Sequence, residues 1–449
     1  MSDRSSDVEE LMPEVLDRLR GLVRIPSVAF PGFDPDPVHR MGEAVVELFE
    51  AAGATEVALV DVPGGYPCVY ADLPGPEGSP TVLLYAHYDV QPAPASQGWS
   101  IPDPFEPVTG EDGRIYGRGA ADDKSGLVIH YGTLRLLGPD RPCRIKLLVE
   151  GEEETISHLE DFVEANPEKF AADAFVIADI GGQVVGRPGL TTALRGDVAC
   201  TVTVRTLSFP VHSGLFGGAA PDAMTAMIRI LDTLHDEAGD TVIPGVDTST
   251  WDGAAMEEGV YRDGSAILPG VDYLGSGSLS DRIWAKPSVT VLGMDLPSVA
   301  EASNVLLPQV TAKLSMRIVP GSDADAQLEA LMAHLRAQRP WNCEVEVTKV
   351  KTGHAFAVDE THPAIVAAKD ALAEAYGAPV ESIGSGASIP LVASLQKIAP
   401  GAAIVLWGAE DTAKARIHAS DESVDPAEIA RMIAAQVAFI EKVAATAKA

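Results

Sequence analysis

Cysteine is scarce in this chain of 449 residues: Cys68, Cys143, Cys200 and Cys343 stand far apart, with no C-x-x-C pair. That excludes a disulfide framework, a thiolate zinc finger and a dithiol redox site, and leaves buried, reduced thiols as the expectation. Basic residues are also few. Lys and Arg number 33 against 65 Asp and Glu, a formal charge of −32 at pH 7. Such a chain repels nucleic-acid phosphates and anionic membrane surfaces, and cations are its natural partners. No apolar run approaches the roughly 20 residues that a bilayer demands. The opening MSDRSSDVEE has no basic stretch followed by an apolar one, so no secretory signal is expected and the protein reads as soluble and cytoplasmic.

What is present is ample core material, 46% hydrophobic residues, enough for two or three domains at roughly 100–200 residues each. It comes in two patterns. Short, nearly continuous apolar runs at 81–85, 145–149, 175–178 and 403–407 predict strands buried on both faces, as in a mostly parallel sheet covered by helices. Helical periodicity lies between them, at 41–52 and 125–137, and before them at Leu11, Val15, Leu16, Leu19 and Leu22. A last helix is predicted after Asp425, a ready N-cap, with Pro426 at its first position. The middle of the chain alternates instead. Val198, Cys200, Val202 and Val204, then Val310, Ala312, Leu314, Met316 and Ile318, then Cys343, Val345 and Val347 each recur with period two. Strands of that kind have one buried and one solvated face and predict an antiparallel sheet, with helices at about 219–236 and 323–338 on its apolar side. The expected fold is therefore α/β in two domains. A doubly wound, mostly parallel domain at 1–191 and 353–449 is interrupted by an inserted α+β domain at 192–352. Residues 241–282, rich in Gly, Asp and Ser, read as a long excursion of the insert.

Polar chemistry gathers where the buried runs stop. The first ends in Ala86-His87-Tyr88-Asp89. In an extended chain residues i and i+2 point to one side, so Asp89 can hold one imidazole nitrogen of His87 while the other meets a metal. A glycine-flanked turn carries Asp122 and Asp123 into an apolar helix, where either carboxylate serves as a cap or a cation ligand. The second run leads into Glu150-Gly151-Glu152-Glu153-Glu154, the third ends at Asp179, and the last is followed by His418. Beside a dication, one carboxylate of such a cluster ligates while its neighbour stays free as a base. Five or more nitrogen and oxygen donors without thiolate exceed the three protein ligands of a single catalytic zinc. They fit a carboxylate-bridged pair of zinc ions, with manganese or cobalt as alternatives.

These motifs, in this order and with a lid-like insertion, resemble the M20 metallopeptidases, most closely their carnosine-dipeptidase branch. The resemblance spans nearly the whole chain. It implies His87, Asp122 and Asp179 at one metal, Asp122, Glu154 and His418 at the other, Asp89 orienting His87, and Glu153 as general base. The Glu-Glu pair aligns through Glu153-Glu154-Thr155-Ile156-Ser157, where the family has Gly for Ile156, and a one-residue slip to Glu152 and Glu153 is the other register. A cis peptide at Asp122-Asp123 is implied as well. In the insert, His212 matches a histidine that reaches a neighbouring subunit's active site, which implies a homodimer. Asn304, Arg317 and, nearer the end, Ser388 match substrate-contacting positions. The segment before Ser388 reads Gly384-Ser385-Gly386-Ala387 where many dipeptidases have Arg-Glu-Gly-Gly, so two charged side chains are missing. The implied activity is hydrolysis of a dipeptide or small peptide, with N-acyl-amino-acid deacylation as the alternative.

Overall fold

The computed structural model describes residues 4–446; residues 1–3 of the opening segment and 447–449 of the last lie outside them. The large sheet has nine strands. Its centre is four neighbouring parallel strands, in the order Arg144–Glu150, Thr81–His87, Ala174–Ile177 and Ala403–Leu406. Ala58–Val60 and Cys68–Leu73 extend one side antiparallel. Gly189–Leu194, with Phe356–Ala357 and Glu381–Ser385 paired to it, completes the other.

The continuous apolar runs follow from this placement. Along Thr81–His87, Val82, Leu84 and Ala86 enter one core while Leu83 and Tyr85 enter another on the opposite face. The first core is covered by helices Ser5–Val23, Asp36–Ala51, Lys124–Leu137, Pro363–Tyr376 and Pro426–Thr446, the second by Leu159–Ala165 and Pro390–Ile398. A strand covered on both faces has no polar position to spare, so its chemistry is confined to its ends. Thr81–His87 is also flanked on both sides by strands that come later in the chain. Its carboxyl end is the topological switch point, where open α/β sheets form a crevice.

The chain leaves this sheet at Leu194 and enters a four-stranded antiparallel sheet at Gly196. The order there is Ser288–Met294, Gln309–Ile318, Gly196–Arg205, Glu344–Gly353. Helices Ala223–Asp232 and Ala324–Ala337 cover its apolar face, capped by Asp222 on the Thr225 N–H and Asp323 on the Ala326 N–H, both 2.9 Å. The alternating pattern is this single covered face. The excursion at 241–282 contains the helix Glu258–Ser265; Ile243 and Val246 near its start pack into the core of the four-stranded sheet, and later residues meet the large sheet. Trp251 packs edge-on against Trp284 with centroids 5.1 Å apart, and the Ala254 N–H donates to the Ser382 carbonyl at 2.9 Å. All four cysteines are free and buried. Among the described residues no helix is long and apolar enough to cross a membrane.

Candidate metal centre

The carboxyl ends of the four central strands deliver the polar residues to one crevice. His87 is the last residue of its strand and is fully buried. Its Nδ1 lies 3.3 Å from Asp89 Oδ1 and 3.1 Å from the Asp89 carbonyl. Its Nε2 faces the other way, 2.9 Å from Asp122 Oδ1 and 3.4 Å from Asp179 Oδ1. The other oxygen of Asp122 lies 3.0 Å from His418 Nε2, which is 3.1 Å from Glu154 Oε2. Two groups of three donors result, His87, Asp122 and Asp179, then Asp122, Glu154 and His418, each with its ligand atoms within 4.8 Å of one another. Asp122 belongs to both. The first group is sunk in the fold, and the second opens to solvent at His418.

Local hydrogen bonds fix these side chains. The N–H groups of Glu153 and Glu154 donate to Asp89 Oδ1 and Oδ2 at 3.0 and 3.1 Å. One buried carboxylate thus sets both His87 and the Glu153-Glu154 turn. Asp123 caps Lys124–Leu137 through the Gly126 N–H and accepts from the His87 N–H, both at 3.1 Å. The peptide bond Asp122-Asp123 is cis. Glu152 turns away from the cluster and accepts from His158 Nδ1 at 2.9 Å. Of the two registers, the structure brings Glu154, with Glu153 beside it, to the crevice.

Four more residues that the sequence did not single out support the cluster. Glu422 accepts from the N–H groups of Gly119, Ala121 and Asp122 at 3.0–3.1 Å and from Arg118 at 2.6 Å, clamping the turn that carries Asp122. Gln91 donates to Glu154 Oε2 at 2.7 Å. Tyr85 donates to Glu150 Oε2 at 2.7 Å. Glu410 is buried near Asp122 and Asp179, and its Oε1 has no partner. Glu410 follows the last buried strand, the same signal that marked the other acids. Glu422, by contrast, acts across some 300 residues of sequence, and nothing local marks it.

The charge of the cluster demands cations. Burial, then the charge of Asp179, holds the Glu153 carboxyl well above the usual range. Burial, then Asp122, pushes Glu154 up to about 7. Burial, then Asp122 and Asp179, does the same to Glu410 and raises it far. Hydrogen bonds to Asp122 and Glu154 push His418 up to about 11. For His87, burial favours the neutral ring, but Asp179 and Asp122 outweigh it and raise the imidazole well above its ordinary value. Only Asp122 moves down: its burial is outweighed by the hydrogen bonds of His418 and His87. Without metal, protons are held where acid and imidazole converge. Two adjacent sites of nitrogen and oxygen donors, without sulfur, around a shared carboxylate and beside an unpartnered Glu410 oxygen, fit a pair of divalent cations.

His212 and Asn304 are elsewhere. They lie on an exposed two-stranded ribbon in which His212 pairs with Val305 and the Ser213 N–H donates to the Asn304 carbonyl at 2.9 Å. Arg317, half-buried on the four-stranded sheet, reaches Ser388 across the junction, Nη1 to Oγ 3.4 Å.

Comparison with known proteins agrees with this arrangement. The chain is 41% identical over 372 residues to a cysteinylglycine-S-conjugate dipeptidase of Corynebacterium striatum, covering 81% of each chain. It is 26% identical over 435 residues to a Beta-Ala-His dipeptidase of Homo sapiens, covering 89% of this chain and 85% of that one. The structure of human carnosine dipeptidase 1 superimposes with a TM-score of 0.81 at 25% identity over 98% of both chains. That of the di-peptidase Dug1p of Saccharomyces cerevisiae shares the fold with a TM-score of 0.81 at 23% identity, again over 98% of both. The profile of peptidase family M20/M25/M40 matches residues 83–442, a span that takes in the four-stranded sheet and all five converging side chains, and the chain belongs to that family.

Proposed function

We propose that this protein is a metal-dependent dipeptidase. The observation that carries the reading is the pair of donor groups sharing Asp122, with Glu153 alongside in the same crevice. The 41% identical relative, named as a dipeptidase, favours a dipeptide over an N-acyl amino acid as substrate.

In this reading His87, Asp122 and Asp179 hold one divalent cation and Asp122, Glu154 and His418 the other, zinc by donor type, with manganese or cobalt as substitutes. Bound there, the cations supply Lewis acidity and a water acidified towards neutrality. Asp89 holds His87 in one ring orientation and, through two amide N–H groups, fixes the turn of Glu153. Glu153 takes the proton of the attacking water and delivers it to the leaving amine. A carboxyl that desolvation has raised is lowered again towards a working base by neighbouring positive charge. Arg317, with Ser388, anchors the C-terminal carboxylate of the substrate. His212, supplied across a homodimer interface, stabilises the developing oxyanion, and Asn304 contacts the substrate beside it.

The domain division at 1–191, 192–352 and 353–449 belongs to the same proposal, with the insert as lid and dimerisation unit. The first crossing is supported by a strand that ends at Leu194 and another that begins at Gly196. A homodimer is supported by exposed apolar side chains on the insert, Phe209, Leu215, Phe216, Ile228 and Leu292, and by the edge strand Ser288–Met294. Four buried free thiols suit a reducing, cytoplasmic setting. The test is a panel of dipeptides against N-acetyl and N-succinyl amino acids with zinc, manganese and cobalt. Turnover of dipeptides is expected; turnover confined to the acylated series would overturn the reading.

A further inference from the structure

Arg195 sits at the crossing between the two sheets, after Leu194 and before Gly196. Its backbone N–H donates to the Ser385 carbonyl at 3.2 Å, which lays the residue against the loop that carries Ser388. Nη1 donates to Ser288 Oγ at 3.2 Å and to the Lys286 carbonyl at 3.4 Å. Nε is buried without a partner. Nη2 borders Gly386 so closely that a Cβ on that residue would stand 2.9 Å away, so the absence of a side chain there is what leaves the guanidinium its space.

Arg317 is close enough for its charge to bear on Arg195; burial, then this neighbouring charge, pulls Arg195 down to about 10. Among the described residues neither guanidinium has a carboxylate within salt-bridge distance. Asp197, opposite Arg317 in the strand register, is engaged by Lys351 at 3.2 Å and by Ser315, and the Arg317 charge also helps to hold its carboxyl down. The loop from Ile383 to Pro390 carries no charged residue. In a chain with 65 acids, a second half-buried cation, Arg195, with its Nε unpartnered and no carboxylate beside it, is costly unless an anion completes it. One positive charge matches the single carboxylate of an ordinary dipeptide. The second is surplus unless the substrate carries a second carboxylate nearby.

We propose that Arg195 and Arg317, with Ser388, form a site for two carboxylates, so that the preferred substrates are dipeptides ending in Asp or Glu. The α-carboxylate engages Arg317 and the side-chain carboxylate engages Arg195, whose guanidinium the glycine at 386 makes room for. This rests on the dipeptidase reading for its consequence in turnover, but the anion site itself is measurable without turnover.

The experiment uses the metal-loaded full chain. Calorimetry with L-glutamate and L-glutamine, which differ in charge and hardly in size, gives a binding ratio; kcat/KM for Ala-Glu and Ala-Gln gives a catalytic one. Both ratios are expected to favour the acid at least about tenfold in the wild type and to fall to about 1 in Arg195→Met. Arg195→Lys, which retains the charge, keeps part of the preference, and its thermal unfolding shows that the fold is intact. Ratios near 1 in the wild type, or undiminished in Arg195→Met, overturn the proposal. If neither dipeptide is cleaved while the glutamate preference is present and depends on Arg195, the dipeptidase reading falls and the anion site stands.

Discussion

Asp89→Asn removes one oxygen and one charge from a fully buried position that accepts at both oxygens. The carboxylate faces three donors: Glu153 N–H at 3.0 Å, Glu154 N–H at 3.1 Å and His87 Nδ1 at 3.3 Å. An asparagine offers one carbonyl oxygen and one NH2 group, so in either orientation a backbone N–H of the Glu153-Glu154 turn faces another donor. A buried donor left without a partner costs about 1–3 kcal/mol. At about 1.4 kcal/mol per factor of ten that is roughly 5- to 150-fold, and loss of a group that orients a metal-ligating histidine costs about 10–100-fold in affinity. We expect metal affinity to fall about 10–100-fold, measured by competition with a chelating indicator. At saturating metal kcat should still fall, because the turn that aims Glu153 is displaced and small misplacements of a catalytic group are expensive. A variant that keeps both metal affinity and kcat within about twofold of the wild type would refute the positioning role of Asp89.

Stability of the metal-free protein should fall as pH rises from about 5 to about 7. Glu150 and Glu154, each pushed up to about 7 with burial as the largest cause, remain protonated in the fold where the unfolded chain has released its protons near pH 4.3. His87 and His418 are raised as well, and His130, held down to about 4 by burial, opposes them alone among the histidines of this core. Calorimetric unfolding in chelator checks the sign; saturating zinc should abolish the decline, and a rise in stability with pH in the metal-free protein would contradict it. Arg317→Ala should raise KM by about tenfold or more while changing kcat less, and an unchanged KM would remove the carboxylate anchor. Phe216→Asp, a change on an exposed apolar side chain of the insert, should shift sedimentation from dimer to monomer and lower activity; a fully active monomer would show that His212 is not needed across an interface.

How much of this was legible in the sequence follows from how local each signal is. The apolar run at 81–85 and the period of two at Val198–Val204 report directly how many faces of a strand are covered, and the two sheets are built from those patterns. The acids and histidines at the strand ends were legible because a strand covered on both faces can carry chemistry only there. The choice between Glu152 and Glu154 was not, since three consecutive carboxylates in a turn have no period to separate them. It is made by His158, which draws Glu152 aside, and by His418, which meets Glu154. The antiparallel extension by Ala58–Val60 and Cys68–Leu73 was also missed: the first is a short, mostly exposed strand with little apolar signal of its own. The excursion at 241–282 lacked periodicity because its order comes from contacts outside itself, such as Trp251 on Trp284 and Arg187 with Glu257.

Glu153, a carboxylate beside the metal groups, is proposed to move the proton while the five converging side chains, His87, Asp122, Glu154, Asp179 and His418, hold the cations. Glu153→Gln keeps size and backbone but cannot accept a proton. Metal content and kcat measured on the same preparation separate the two roles. Two divalent ions per chain are expected, as in the wild type, with kcat on a cleaved dipeptide lowered by about 10²–10⁴. Near-normal turnover by Glu153→Gln with both metals bound would contradict it.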